Sequence, residues 1–450
     1  MTGPEWLELA LVNAAVVRQR RAPQPPWWGR DLRRLLVRAF WAVGRSLFDV
    51  RVSGLEHFRN RSATIIVANH RTDFDVVLLA PTLYLASGGR DPIARLAFVT
   101  ADRMFEPGYL ATEIVRRPRW LSRLLFRLDL SRILYALRAY PILPAQQRPL
   151  RSYLLDVLRH EGDSRLAEVV REPLDELFPG CSAEMTVSEA LEWRHREALR
   201  ACHDLSIFHR PIAKRLRERQ VATIVDALAQ FAAILDEGDP LFLAPEGELS
   251  PNGAFGDIRA GLGRLIQTTE SQLRLLPVQF TYDFMASGRP PVFVSLGPEL
   301  GADERGSNRA VEATVERAIT RLGTVTMTQL VSDEFRRAEE SDVWTFDEAM
   351  LKSHVRSHAQ CLARAGVRVD PSVRDEHDFE RRWTRFVRYA RRRGILRRDH
   401  GRLERVPGVT AKPPGLPTAP DSPWAYGANE LATLLDAVRA SREPACRIDD

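Results

Sequence analysis

Lysine is nearly absent from this 450-residue chain: Lys214, Lys352 and Lys412 are the only three among 65 basic residues, and arginine supplies the rest. The resulting net charge of +6 suits nucleic acid, an anionic membrane or acidic substrates, and a genome-wide bias toward arginine produces the same composition. Cysteine is also scarce. Cys181, Cys202, Cys361 and Cys446 stand far apart with no C-x-x-C spacing, which argues against both a disulfide framework and a zinc site and makes a reducing, cytoplasmic setting the expectation. No apolar run approaches the ~18 residues that cross a bilayer. The stretch Trp6 to Val17 contains Glu8 and Asn13 and lacks a basic leader, so neither a spanning helix nor a signal peptide is expected. Internal repeats and long low-complexity tracts are missing too.

What remains is 44% hydrophobic, enough to bury a large core divided among two or three domains. Short apolar runs read as strands: Ala63 to Ala68, Leu96 to Thr100, Tyr140 to Leu143, Pro240 to Leu243, Leu276 to Phe280 and Val292 to Leu296. Helical patterns lie between them, notably Val221 to Asp236. The alternation predicts an α/β sandwich with a mostly parallel sheet flanked by helices, with functional residues on loops beyond strand ends. The divisions expected are 1–50, amphipathic membrane-contact helices; 51–300, the core, with a helical insertion over 151–220; 301–406, helical and basic; 407–423, a Pro-rich linker; and 424–450, a terminal helix.

Two loops carry chemistry. The first is NHRTDFD, Asn69 to Asp75, in the turn after a strand. A carboxylate five positions after a histidine can orient the imidazole, fix its tautomer and stabilise the imidazolium, which makes His70 a candidate base and Asp75 its orienter. The bland alternative has Asp75 as the carboxylate of a helix cap begun by Thr72. The second loop, PEGELSPNGAFGDIRAGLG, starts at Pro245 and gives Glu246 a fixed direction, with Gly247 and Gly261 for close backbone approach and Arg259 as a candidate partner for a phosphate. Taken singly, each is more often a turn carboxylate or a solvated charge.

Together the two loops resemble the phospholipid and glycerol acyltransferase family, which includes lysophosphatidic acid and glycerol-3-phosphate acyltransferases. The family's H-x-x-x-x-D element falls on His70 to Asp75, its Pro-Glu-Gly element on Pro245, Glu246 and Gly247, the following S-x-x-G on Ser250 to Gly253, and a basic-x-Gly element on Arg259 to Gly261. A later V-P-V-like segment falls on Leu276, Pro277 and Val278, so the resemblance spans roughly Leu55 to Leu300. It implies transfer of a fatty acyl group from acyl-CoA or acyl carrier protein to a hydroxyl of a glycerolipid such as 1-acyl-glycerol-3-phosphate, in phospholipid biosynthesis. His70 would act as base and Asp75 as its support. Glu246, Gly247, Arg259, Arg71 and Arg148 would hold substrate, backbone N–H groups of the same loops would meet the oxyanion, and neither a cofactor nor a metal is required.

Departures from the family pattern bear on the acceptor. Glu248 and Leu249 stand where threonine and arginine usually follow Pro-Glu-Gly. RAYPILPAQQRP matches the glycine-aromatic second motif poorly, with Arg148 as its late arginine, and Ala101, Asp102 and Arg103 replace a lysine element. Glycerol-3-phosphate, a lysophospholipid with a masked phosphate or a non-phosphate acceptor are therefore alternatives, as is an inactive lipid-binding protein. A peripheral position on the cytoplasmic face of a membrane is expected from two basic amphipathic segments. In Asp31 to Leu47, residues Leu32, Leu35, Leu36, Phe40, Val43 and Leu47 share a face beside Trp27 and Trp28; the other segment is Arg116 to Asp129. Core packing is the commoner fate of such a helix. The basic run Phe379 to Val406 suggests nucleic acid least of all, because Trp383, Phe386 and Tyr389 recur by threes as on a buried helix face.

Overall fold

The computed structural model describes residues 26–58, 63–72, 74–86, 95–114, 118–143, 147–301, 308–406 and 423–440. The stretch Trp6 to Val17 and nearly all of the Pro-rich segment lie outside them. In chain order the strands are β1 Asp49–Ser53, β2 Thr64–Ala68, β3 Ala97–Ala101, β4 Ala139–Ile142, β5 Arg148–Pro149, β6 Cys202–His203, β7 Leu241–Leu243, β8 Arg274–Tyr282, β9 Pro291–Leu296, β10 Leu300–Gly301, β11 Thr345–Asp347, β12 Leu396–Asp399 and β13 Arg402–Arg405. The main helices are α1 Gly29–Leu47, α2 Asp75–Ala86, α3 Arg119–Leu125, α4 Leu150–His160, α5 Arg210–Asp236, α6 Gly261–Thr268, α7 Asn308–Thr320, α8 Met327–Glu340, α9 Glu348–Arg364, α10 Glu376–Arg392 and α11 Pro423–Ala440. The fold is α/β, with a mixed, mostly parallel sheet flanked by helices.

The chain forms two compact units, each built from separated stretches: Met1–Arg33, Ala97–Glu237 and Thr268–Glu270 in one; Arg34–Leu96, Gly238–Gln267 and Ser271–Asp450 in the other. In the second unit the sheet order is β1-β9-β8-β2-β7. Strand β2 is buried on both faces, which is why Ile65, Ile66 and Val67 read as an unbroken apolar run rather than an alternation. It pairs in parallel with β7 on one side and β8 on the other. All three carboxyl ends therefore emerge at one edge, and the chain beyond β2, β7 and β8 supplies the two loops and Tyr282. Strand β1 escapes the sequence pattern because DVRVS offers only two valines between charged residues; it runs parallel to β9.

The same unit takes in 308–406 and 423–440. A core of Phe335, Trp383, Phe386, Trp424 and Leu431, among others, joins α8, α9, α10 and α11, so the aromatics of the basic run are packed side chains. Helix does not continue to residue 406 as the sequence suggested. Gly394 leaves α10 with φ 72°, and His400 and Gly401, both at positive φ, form the turn of a β12–β13 hairpin.

In the first unit β3 and β4 run parallel, and β5 pairs with β6. The charge-rich 151–220 segment packs around Tyr153, Leu154, Phe178, Leu199, Phe208 and Leu216, in a core that also takes in Ala111, Phe126 and Leu150. Helix α1 buries the line Gly29, Arg33, Val37 and Gly44 and half-buries Leu32, Leu36 and Phe40, while Leu35 is 65% exposed and Val43 and Leu47 also face outward. Arg33 Nη1 donates to the carbonyl of Ala136 at 2.6 Å. Trp27 is 88% exposed, and Trp120 and Leu124 on α3 are each 69% exposed, with Arg119 and Arg123 exposed between them. No described helix is long and apolar enough to cross a membrane.

Candidate active site

Asn69 makes the turn out of β2. Its side chain continues the sheet ladder in place of backbone, Nδ2 donating to the Phe280 carbonyl at 2.9 Å and Oδ1 accepting from Phe280 N–H at 2.7 Å. The next residue, His70, is then held by the second loop at both backbone groups: its N–H donates to Glu246 Oε1 at 2.9 Å and its carbonyl accepts from Ser250 N–H at 3.0 Å.

Asp75, at the start of α2, is fully buried. Its Oδ2 lies 3.0 Å from His70 Nδ1 and accepts the backbone N–H groups of Arg71 at 2.7 Å and Thr72 at 3.1 Å. Its Oδ1 accepts the Tyr282 hydroxyl at 2.6 Å, with Thr72 Oγ1 3.2 Å away. The helix-cap role and the histidine-orienting role thus coexist in one side chain. Donors on every side fix the carboxylate's direction, and a proton on His70 Nδ1 directed at Asp75 leaves the basic lone pair on Nε2. The His70 side chain remains 25% exposed, so a substrate hydroxyl can approach the ring.

Glu246 is spent on backbone. Oε1 takes His70 N–H and Oε2 takes Gly256 N–H at 2.8 Å, tying the two loops together. Burial pushes its carboxyl up from the ordinary value, against the opposing pull of Arg71 and of these two N–H bonds. Gly247 turns at φ 73°, and a Cβ there would meet Arg259 Cγ at 3.2 Å. Arg259 Nε donates to the Glu246 carbonyl at 3.2 Å, and its Nη2 donates to Glu248 at 2.6 Å. Glu248, the departure noted above, therefore neutralises the arginine expected to face a phosphate. Gly261 opens α6 with nothing near its absent Cβ, so packing places no demand for glycine there.

Arg71 is buried, with Nε 3.2 Å from Glu430 Oε1 and Nη1 donating to the Ala254 carbonyl at 3.2 Å. Burial alone would lower its pKa; Tyr426, Glu430, Glu246 and Asp75 outweigh that and raise it, so the guanidinium stays charged. Arg148 belongs to the other compact unit. There it donates to Asp102 and Asp156, each at 2.8 Å, with Glu106 3.8 Å away. His70, Arg71, Asp75, Glu246, Gly247 and Arg259 thus share one unit, and Arg148 does not. The N–H groups of His70, Arg71, Thr72 and Gly256 are already bonded to carboxylates, so an oxyanion must find other donors. Among the described residues no cluster of three His, Cys, Asp or Glu side chains is placed to hold a metal ion.

Sequence reasoning missed the roles of Tyr282, Tyr426, Glu430 and Gly256. Tyr282 had a signal, since it ends the strand beside β2 at the functional edge. Glu430 had none, because contact across such a separation leaves no local pattern.

These features define a class: an α/β protein with a buried-carboxylate and histidine pair on loops at strand ends. No family profile and no curated protein sequence matches the chain. Among solved structures it is similar to the 1-acyl-sn-glycerophosphate (LPA) acyltransferase from Thermotoga maritima, at 15% identity and a TM-score of 0.33, over 70% of this chain and 86% of that one. At that score the superposition carries no functional weight, and the chemistry rests on the residues of the site.

Proposed function

We propose that this chain is an O-acyltransferase that moves a fatty acyl group from acyl-CoA or acyl carrier protein to a hydroxyl of a glycerolipid at a membrane surface. The observation that carries the reading is the 3.0 Å contact between His70 Nδ1 and a fully buried, multiply bonded Asp75. Nε2 takes the proton of the acceptor hydroxyl as its oxygen attacks the thioester carbonyl. The tetrahedral oxyanion then collapses, the C–S bond breaks, and the departing thiolate takes the proton back from the imidazolium. Asp75 stabilises that imidazolium and holds the ring in its tautomer.

The arginines favour an acceptor with a masked phosphate or no phosphate. Arg259 is paired with Glu248, Arg71 with Glu430, and Arg148 with Asp102 and Asp156. Recognition of a phosphate monoester by Arg71 or Arg148 would break a buried pair and leave a carboxylate uncompensated, whereas the Arg259–Glu248 pair is solvent-exposed and separates at small cost. The outward apolar residues of α1 and α3, interleaved with arginines, suit contact with an anionic lipid surface.

The test is release of free coenzyme A from long-chain acyl-CoA by purified protein, offered glycerol-3-phosphate, 1-acyl-glycerol-3-phosphate, masked-phosphate lysolipids or a non-phosphate lipid alcohol. Release that depends on a masked or non-phosphate acceptor is expected, and His70→Ala should lower it by about 10²- to 10⁴-fold, the usual worth of a general base. Binding of acyl-CoA without release, repeated with acyl carrier protein as donor, would instead identify an inactive lipid-binding protein.

A further inference from the structure

Helix α11 packs Trp424, Leu431 and Leu434 into the core shared with α8 and α10. That face is enough to dock an ordinary packing helix, yet polar groups of α11 reach both catalytic loops. Asn429 Nδ2 donates to the Asn252 carbonyl at 3.0 Å. Gly253, at φ 85°, lies so close under α11 that a Cβ there would stand 2.1 Å from the Tyr426 carbonyl oxygen. Glu430 is buried and divided between two partners, Oε1 being 3.2 Å from Arg71 Nε and Oε2 accepting from Gln329 Nε2 at 3.1 Å.

Arg71 is the residue after the candidate base. Its backbone N–H makes the shortest of the N–H contacts to Asp75 Oδ2, at 2.7 Å, while its side chain is stretched between Glu430 and the Ala254 carbonyl. That N–H shares a peptide plane with the His70 carbonyl, which accepts from Ser250 N–H at 3.0 Å, and the Arg71 side chain adds a further hold on the same residue. A rotation there changes where Asp75 directs its oxygen, and the His70 ring follows. We propose that Glu430 is a positioning residue for acyl transfer, acting through Arg71 on Asp75 and so on the His70 ring. The proposal rests on the acyltransferase reading above, and it makes the last described helix a working part of the site.

Two full-length variants test it. Glu430→Gln neutralises the carboxylate and turns an amide N–H₂ toward either Arg71 or Gln329, both of which are donors. The double variant Arg71→Met with Glu430→Met removes both members of the ion pair at similar volume, while Glu246, which also feels Arg71, keeps its bonds to the His70 and Gly256 N–H groups. For each, kcat and KM are measured by coenzyme A release. Nitrogen-15 histidine spectra report the His70 tautomer, and thermal unfolding reports stability.

The expected result is a kcat lowered about ten- to a hundredfold in both variants, the scale of a small misplacement of a catalytic group. KM for the acyl thioester should stay within about twofold, and the His70 resonances should move from one Nδ1-protonated form toward a mixture. If Glu430→Gln fails to fold, the double variant carries the same expectation. Lowered stability with kcat and the His70 spectrum unchanged, or wild-type kcat in the double variant, would overturn the proposal and leave α11 a clamp. A wild-type protein that transfers no acyl group, whose His70 tautomer still shifts in Glu430→Gln, would sink the acyltransferase reading while sustaining the coupling.

Discussion

Glu106 belongs to the carboxylate cluster around Arg148, and burial pushes its carboxyl from 4.5 up to about 7. Asp102 is raised too, chiefly by burial, with Arg148 opposing. Between the unfolded and folded values of Glu106 the native protein holds a proton that the unfolded chain has released. Its contribution to stability is then complete below about pH 4.5 and fades as the pH rises through about 7. Glu106→Gln should leave thermal stability near wild type at pH 5 and gain on it steadily toward pH 8. Melting curves across that range check this, and a stability difference that stays flat with pH would refute it. At this scale the sequence exposed only residues whose partners are near in the chain. His70 and Asp75 stand five apart, and Pro-Glu-Gly is a local turn, so both showed. Tyr282 and Glu430 reach Asp75 and Arg71 from distant strands and helices, and their roles appear only once the sheet is formed.

Among the elements, β2 announced itself because a strand covered on both faces has no polar alternation, and α10 because Trp383, Phe386 and Tyr389 recur by threes on one side. Strand β1 and the β12–β13 hairpin did not, since DVRVS and LRRD–RLER are charged segments, and the pairing of the hairpin is decided by backbone and by the His400–Gly401 turn. The loop against α11 offers a sharper test of packing. Gly253→Ala meets both a left-handed backbone and the Tyr426 carbonyl, whereas Gly394→Ala meets only the backbone, with nothing within 4 Å of its Cβ. Denaturant unfolding should show Gly394→Ala costing about 1 kcal/mol and Gly253→Ala at least ~2 kcal/mol more. Equal costs would mean that α11 yields easily, contrary to its close fit on the loop.

For the whole molecule, solvent-facing tryptophans and leucines on α1 and α3 are the features that globular packing does not explain. Binding to vesicles of anionic phospholipid should be measurable by co-sedimentation and should weaken as salt is added. Trp120→Glu with Leu124→Glu should abolish it while leaving the melting temperature within a few degrees, because both side chains are 69% exposed. Undiminished binding by that variant would remove α3 from the membrane contact. The division of the chain into two units, each assembled from separated stretches, rests on contacts between distant segments, which leave no local pattern in a sequence. Helix α11 adds a consequence for biosynthesis. A ribosome makes the His70 loop 360 residues before it reaches Glu430, so the partner that Arg71 pairs with is missing while that intervening stretch is being made. Until α11 emerges the His70 loop lacks that contact, and on the reading proposed above the completion of the site waits on the docking of this helix.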